Sequence, residues 1–186
     1  MSPGHHSSWR GEHVSVYDKG AREQIAELAE IIDVTQALAL WDKACATKWN
    51  KQPVWIHGDF AIGNILLSNR HCESQSGEAI QTNDTRSPRL LTKPRNDGKS
   101  YKLSAVIDFG GAAVGDPACD LVIAWTYLSG KARETFISKM DMDSDTWLRA
   151  RAWALWKATF ELCQITDKTS SEALLQKRII DEVMNG

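Results

Sequence analysis

Trp55-Ile-His-Gly-Asp-Phe-Ala-Ile-Gly-Asn-Ile-Leu-Leu67 is the stretch that decides how this chain is read, together with the later Ser104-Ala-Val-Ile-Asp-Phe-Gly110. The first holds His57, Asp59 and Asn64 in the spacing H-x-D-x-x-x-x-N. The second delivers Asp108 in a literal D-F-G straight after an apolar run. Each motif follows a short apolar segment that reads as a strand, and Gly58 and Gly63 suit the tight backbone of a loop. Asp59 and Asn64 then stand at the two ends of one loop, with side chains able to converge. Phosphoryl transfer needs such a set: one carboxylate beside the attacking hydroxyl, plus oxygen ligands for Mg²⁺. The protein positions the substrate and neutralises charge, so a few Asp and Asn side chains on rigid elements suffice.

Followed by Gly115-Asp-Pro-x-x-Asp-Leu121, these two motifs resemble the aminoglycoside phosphotransferase family, whose fold is protein-kinase-like. The resemblance runs from near Arg10 to near Leu162 and covers the family's C-terminal lobe. It implies an α+β fold, mainly helical, with short β-strands around the catalytic loop. It also implies ATP and Mg²⁺ as cofactors and a small-molecule hydroxyl as substrate. That acceptor would be an aminoglycoside-type antibiotic, which would make the chain an antibiotic-resistance enzyme, or a related metabolite such as choline, homoserine or another small alcohol.

Carried over residue by residue, the resemblance makes Asp59 the catalytic base and Asn64 and Asp108 the Mg²⁺ ligands. His57 becomes a structural residue beneath the D-F-G segment. Asp116 and Asp120 become supporting residues, Asp120 by hydrogen-bonding the catalytic-loop backbone. Each also has a plainer reading: a turn-forming Asp59, a helix-capping Asp116 ahead of Pro117, an Asp120 placed to favour a helix dipole. Nucleotide-binding residues are not identified. No G-x-G-x-x-G and no strand-borne lysine precede Val54, and Lys19-Gly20 lies just before a helix. The chain is therefore expected to be a truncated or split phosphotransferase, its N-terminal lobe missing or supplied by a separate chain. The alternative is a non-catalytic remnant or binding module that keeps the motifs as scaffold.

Composition is consistent with this. A length of 186 residues allows one sizeable core, and a net charge of -2 argues against general attraction to nucleic acid or acidic membranes. The four cysteines, Cys45, Cys72, Cys119 and Cys163, form no C-x-x-C pair, which disfavours a zinc site or a disulfide framework. With no apolar run of membrane-spanning length and no leader-like segment, the cytoplasm is the expected location.

Taken in order, residues 1–9 read as a frayed end of a single domain spanning 1–186. Residues 18–46 read as two helices broken near Asp33, where Asp33 and Gln36 resemble a capping box. Their expected apolar faces are Ile25, Leu28, Ala29, Ile32 and then Val34, Leu38, Trp41, Cys45. Residues 69–101 lose all apolar period and read as a disordered insertion, basic in its second half, between two strands. Asp116-Pro117 starts a helix expected to end near Gly130, and another is expected from Lys131 to Met140. A long helix follows with Leu148, Ala152, Leu155, Thr159 and Leu162 inward, widened by Trp153, Trp156 and Phe160. The last, from Ser170 to Val183, is expected to turn Leu174, Leu175, Ile179, Ile180 and Val183 inward.

Overall fold

The computed structural model describes residues 1–69 and 101–186. The architecture is α+β and mainly helical: α1 (Asp18–Glu27), α2 (Val34–Cys45), α3 (Ile123–Thr126), α4 (Gly130–Lys139), α5 (Ser144–Gln164) and α6 (Ser171–Asn185). Four short strands accompany them, β1 (Val54–Ile56), β2 (Ile65–Asn69), β3 (Tyr101–Val106) and β4 (Ala113–Gly115). The expected insertion lies outside the described residues except at its ends, where Asn69 closes β2 and Tyr101 opens β3.

The strand pairing positions the two motifs. β1 pairs antiparallel with β4, Trp55 opposite Val114, and β2 pairs antiparallel with β3, Ile65 opposite Val106. The chain leaves the first pair along β1, passes through His57–Asn64 and enters the second pair. It returns from β3 through Ile107–Ala112 to β4. Both motif loops thus span the same gap between the same two strand pairs, and Ile107 N donates to Asn64 O at 3.0 Å where they meet. Nothing in this closure depends on how the chain travels from β2 to β3.

Buried apolar residues form one cluster around α5. Ala150, Ala154 and Ala158 repeat every four residues and let neighbouring elements approach closely, while Trp153, Leu155 and Leu162 fill the space between them. Phe160, expected inside, is 45% exposed. In α6 the inward residues are Ala173, Gln176, Ile179, Ile180 and Val183, whereas Leu174 and Leu175 face outward. In α2 the buried face is Ala37, Leu40, Trp41 and Ala44, displaced from the expected stripe, and Ala29 lies past the end of α1. The cause is the same in each case. Periodicity defines a stripe on a helix, but the neighbour that packs first selects which edge of the stripe is covered.

Local ends follow side-chain chemistry. Gln36 N donates to Asp33 Oδ1 at 2.9 Å, but the Gln36 amide reaches Met184 O at 3.1 Å, so the cap at Asp33 is one-sided rather than a reciprocal box. Asp116 caps as expected, yet Pro117–Val122 winds as a 3-10 turn before α3, which ends at Thr126. Gly130, expected to close that helix, opens α4 with φ 49°. Residues 1–9, read as frayed, carry contacts: Val114 N donates to Met1 O at 2.9 Å, and Ser7 is buried.

The polar centre of the core is Arg149, which is fully buried. Its Nε donates to Asp116 Oδ2 at 2.6 Å, Nη1 to Thr47 Oγ1 at 3.1 Å and Nη2 to Thr146 Oγ1 at 3.1 Å. One guanidinium therefore ties α5 to the turn before α3 and to the end of α2. Breaking such a pair strands a buried carboxylate. Arg149→Met should lower the unfolding free energy by about 3–5 kcal/mol in urea denaturation. Adding Asp116→Asn removes the stranded charge while keeping the cap acceptor, and should recover part of that loss. A double variant no more stable than the single one contradicts the argument.

Asp143 caps α5, accepting from Thr146 N at 2.8 Å and Thr146 Oγ1 at 2.7 Å, and pairs with Lys51 at 2.8 Å. The Lys51 ammonium, then the Thr146 donors, hold its carboxyl well below the ordinary carboxylate range. A depressed carboxyl stabilises the fold above its unfolded pKa of about 4, and this is lost as pH falls toward the folded value. Asp143→Ala should cost about 1 kcal/mol at neutral pH, and the cost should shrink below about pH 4. Urea midpoints that differ by the same amount at neutral and acidic pH would rule this out.

Candidate active site

The loop after β1 is clamped from behind. His57 N and Gly58 N donate to the two carboxylate oxygens of Asp120, at 2.6 and 2.8 Å. The Pro117–Val122 turn places Asp120 there, and Asp116 holds that turn through Ala118 N at 3.0 Å. Burial pushes the Asp120 carboxyl up from its ordinary value, while the two loop N–H groups pull it back. Asp116 itself faces Arg149 and has no hydrogen bond to the loop among the described residues.

Gly58 is the one loop position where glycine is required twice over. Its φ is +84°, and a Cβ there would lie 2.3 Å from the carbonyl oxygen of Gly111. This close approach brings the backbone of the first motif against the residues that follow the second. His57 completes the contact. Its Nε2 bonds to Ile107 O at 2.8 Å, and its ring lies 4.6 Å from the Phe109 ring. Asp59 N donates to His57 Nδ1 at 3.2 Å. With both ring nitrogens engaged by backbone, His57 organises the loop and has no nitrogen left for proton transfer to a substrate.

Asp59 O accepts from Ala61 N at 2.8 Å and from Asn64 Nδ2 at 2.9 Å. The second bond fixes the Asn64 amide and leaves its Oδ1 without a partner among the described residues. Asp108 adopts the left-handed region, with φ 65° and ψ 60°, a conformation Asp tolerates at some cost. Its carboxylate is exposed and has no hydrogen-bond partner among the described residues. Asn64 and Asp108 are thus a carbonyl oxygen and a carboxylate on adjoining loops, joined through the Ile107–Asn64 backbone bond. This donor set fits a hard divalent cation that takes its remaining ligands from phosphate and water. The described residues contain no group of three or more His, Cys, Asp or Glu that would hold a metal by themselves.

The Asp59 side chain has a partner that sequence reasoning did not find. Lys157 Nζ lies 3.2 Å from Asp59 Oδ1, and the two side chains are 31% and 47% exposed. Lys157 comes from α5, far away in sequence. Its only sequence signal is that it is the one charged residue between Arg151 and Glu161 on an otherwise apolar, Trp-rich helix. Arg10, Val122, Trp153 and Trp156 join Asp59 and Lys157 around a recess on this side of the loop. Cys119, also in its wall, is inert, because burial pushes its thiol well up.

No curated protein and no solved structure matches the chain. Residues 2–74 and 95–153 match the phosphotransferase enzyme family. The two matched segments hold both motif loops together with the Asp116–Asp120 turn, and end before Lys157. As they account for more than half of its residues, the chain belongs to the phosphotransferase enzyme family.

Proposed function

We propose that this chain is the catalytic lobe of an ATP- and Mg²⁺-dependent phosphotransferase of protein-kinase-like fold that acts on a hydroxyl of a small molecule. The observation that supports this reading is that Asp59, Asn64 and Asp108 stand on two loops tied together through Asn64 O, His57 and Gly58. Asp59 serves as the base. Its carboxylate orients the acceptor hydroxyl and takes its proton as the oxygen forms its bond to the transferred phosphorus and the bond to the leaving phosphate breaks. Asn64 Oδ1 and the Asp108 carboxylate would hold the Mg²⁺. When bound, that ion offsets charge on the phosphate oxygens. Lys157 holds Asp59 in one orientation, and Asp120 keeps the loop backbone from shifting beneath it.

The nucleotide itself needs more surface than these loops offer. An N-terminal lobe, carried on the same polypeptide or on another chain, would supply the phosphate-covering loop and lysine. Leu103, Ile107 and Phe109 are exposed beside the D-F-G segment, at 55%, 41% and 58%, and provide an apolar face for such a lobe. The same face favours a second reading, in which the chain docks a partner without transferring phosphate. A cytoplasmic location is proposed with it; separately, no described helix is long and apolar enough to cross a membrane.

Between an aminoglycoside-type antibiotic and a related metabolite as acceptor, the side chains favour the metabolite. A polycation needs spare carboxylates, and of the five acids around α5 only Asp141 and Asp145 have no side-chain partner among the described residues. Asp143 holds Lys51 and Thr146, Glu161 accepts from Gln176 at 2.6 Å, and Asp167 accepts from Thr169.

With radiolabelled ATP, Mg²⁺ and a panel of small alcohols, Asp59→Asn should cut transfer by about 10²–10⁴-fold. Equal transfer by wild type and variant to every acceptor would leave the docking reading in place. Asp108→Asn should raise the Mg²⁺ concentration for half-maximal transfer by at least about tenfold, a scale that even outer-sphere partners of metal sites reach. An unchanged Mg²⁺ requirement would remove Asp108 from the cation site.

A further inference from the structure

The recess beside Asp59 carries a charge pattern that the base and cation roles do not use. We propose that it receives an acceptor bearing an anionic group close to its reactive hydroxyl, with Arg10 holding that anion and Lys157 shared between it and Asp59. This rests on the phosphotransferase reading and specifies the substrate class for the same site.

Charge is the first argument. Asp59 is the one carboxylate in the wall of the recess, and it is already paired with Lys157. The nearest other acid, Asp120, spends both oxygens on His57 N and Gly58 N. Arg10 has no carboxylate within ion-pair distance among the described residues. The wall therefore holds a guanidinium with nothing to neutralise it, next to an ammonium that has only a half-exposed carboxylate. A polycation entering here meets repulsion, whereas an anion supplies the missing charge.

Geometry makes the arginine usable. Arg10 Cζ sits 5.9 Å from the centre of the Trp156 ring, and that ring is itself stacked on Tyr17 at 4.0 Å. Packing against an aromatic face steadies the guanidinium while leaving its N–H fork free for carboxylate or phosphate oxygens. Trp153 and Trp156 give the recess an apolar wall beside these two cations, Arg10 and Lys157.

Position separates this anion from the nucleotide phosphates. Neither Asn64 nor Asp108 lines the recess, so the residues proposed for the cation are not those that face this anion. Size also limits the guest. The enclosed space is about 10 Å³, room for roughly one water molecule. The recess therefore admits the end of a carboxylate or phosphate group, and the rest of the acceptor lies over its open mouth.

The test is calorimetric titration of the full chain with glycerate, glycerol 3-phosphate, glycerol and kanamycin. At least one anion should bind tenfold or more tightly than glycerol and more tightly than kanamycin. The better of glycerate and glycerol 3-phosphate then tells carboxylate from phosphate. Arg10→Gln should weaken that anion by roughly ten- to hundredfold, the range of a lost charge-assisted hydrogen bond. Arg10→Lys, which keeps the charge, should retain part of the preference, and thermal melts of both variants should match wild type. In transfer assays Arg10→Gln should raise KM for the acceptor and leave KM for ATP unchanged.

Absence of any charge preference, including no binding of either anion at millimolar concentration, overturns the proposal. So does an Arg10→Gln effect confined to ATP. Anion binding that depends on Arg10, in a chain whose transfer is indifferent to Asp59→Asn, would support the recess as an anion site while removing the phosphotransferase reading.

Discussion

A single carboxylate, that of Asp120, holds the site in register. By accepting from His57 N and Gly58 N it satisfies two consecutive backbone donors that the sharp turn leaves without strand partners. Burial disfavours its charge, and the two N–H groups are what make that burial tolerable. Their geometry in turn depends on where the Pro117–Val122 turn sits. That turn is fixed by Asp116, Asp116 by Arg149, and Arg149 by α5 and the end of α2. A continuous run of polar contacts therefore links the long core helix to the backbone beneath Asp59. The apolar cluster around α5 supplies most of the stability, but the carboxylates decide where the loop lies.

The second constraint is topological. Because β1 pairs with β4 and β2 with β3, the loops that carry His57–Asn64 and Asp108–Gly111 must cross the same gap side by side. Gly58 makes that proximity close enough for backbone to meet backbone, and His57 fills the remaining space against Phe109. A loop pair closed in this way tolerates a long connection between β2 and β3, since loop-closure entropy grows only slowly with length.

Much of this was legible in the sequence, for reasons that lie in local chemistry. Asp33, Asp116 and Pro117 mark helix starts because capping needs only a side chain and the next few N–H groups. The motif loops were legible because each follows a short apolar strand, and Gly58 marks the tight backbone of the first. What escaped were relations between distant residues. The sequence does not show that Arg149, on an ordinary helical repeat, is the buried partner of Asp116. Nor does it show that α6 turns Leu174 and Leu175 outward in favour of Ala173 and Gln176. The 3-10 winding after Asp116 escaped for a related reason. Tertiary contact at Asp120 selects it over the α-helix that the residue types alone permit.

Lys157 shows what such long-range placement does chemically. It projects from the same helix that buries Trp153 and Arg149, so the orientation of Asp59 is referred to the rigid core rather than to its own loop. An ion pair at this half-exposed depth is worth little in stability, since solvent screens it. In the role proposed for Asp59 its value lies in geometry: a base that must meet a hydroxyl in one direction gains from a partner that cannot move independently of the core.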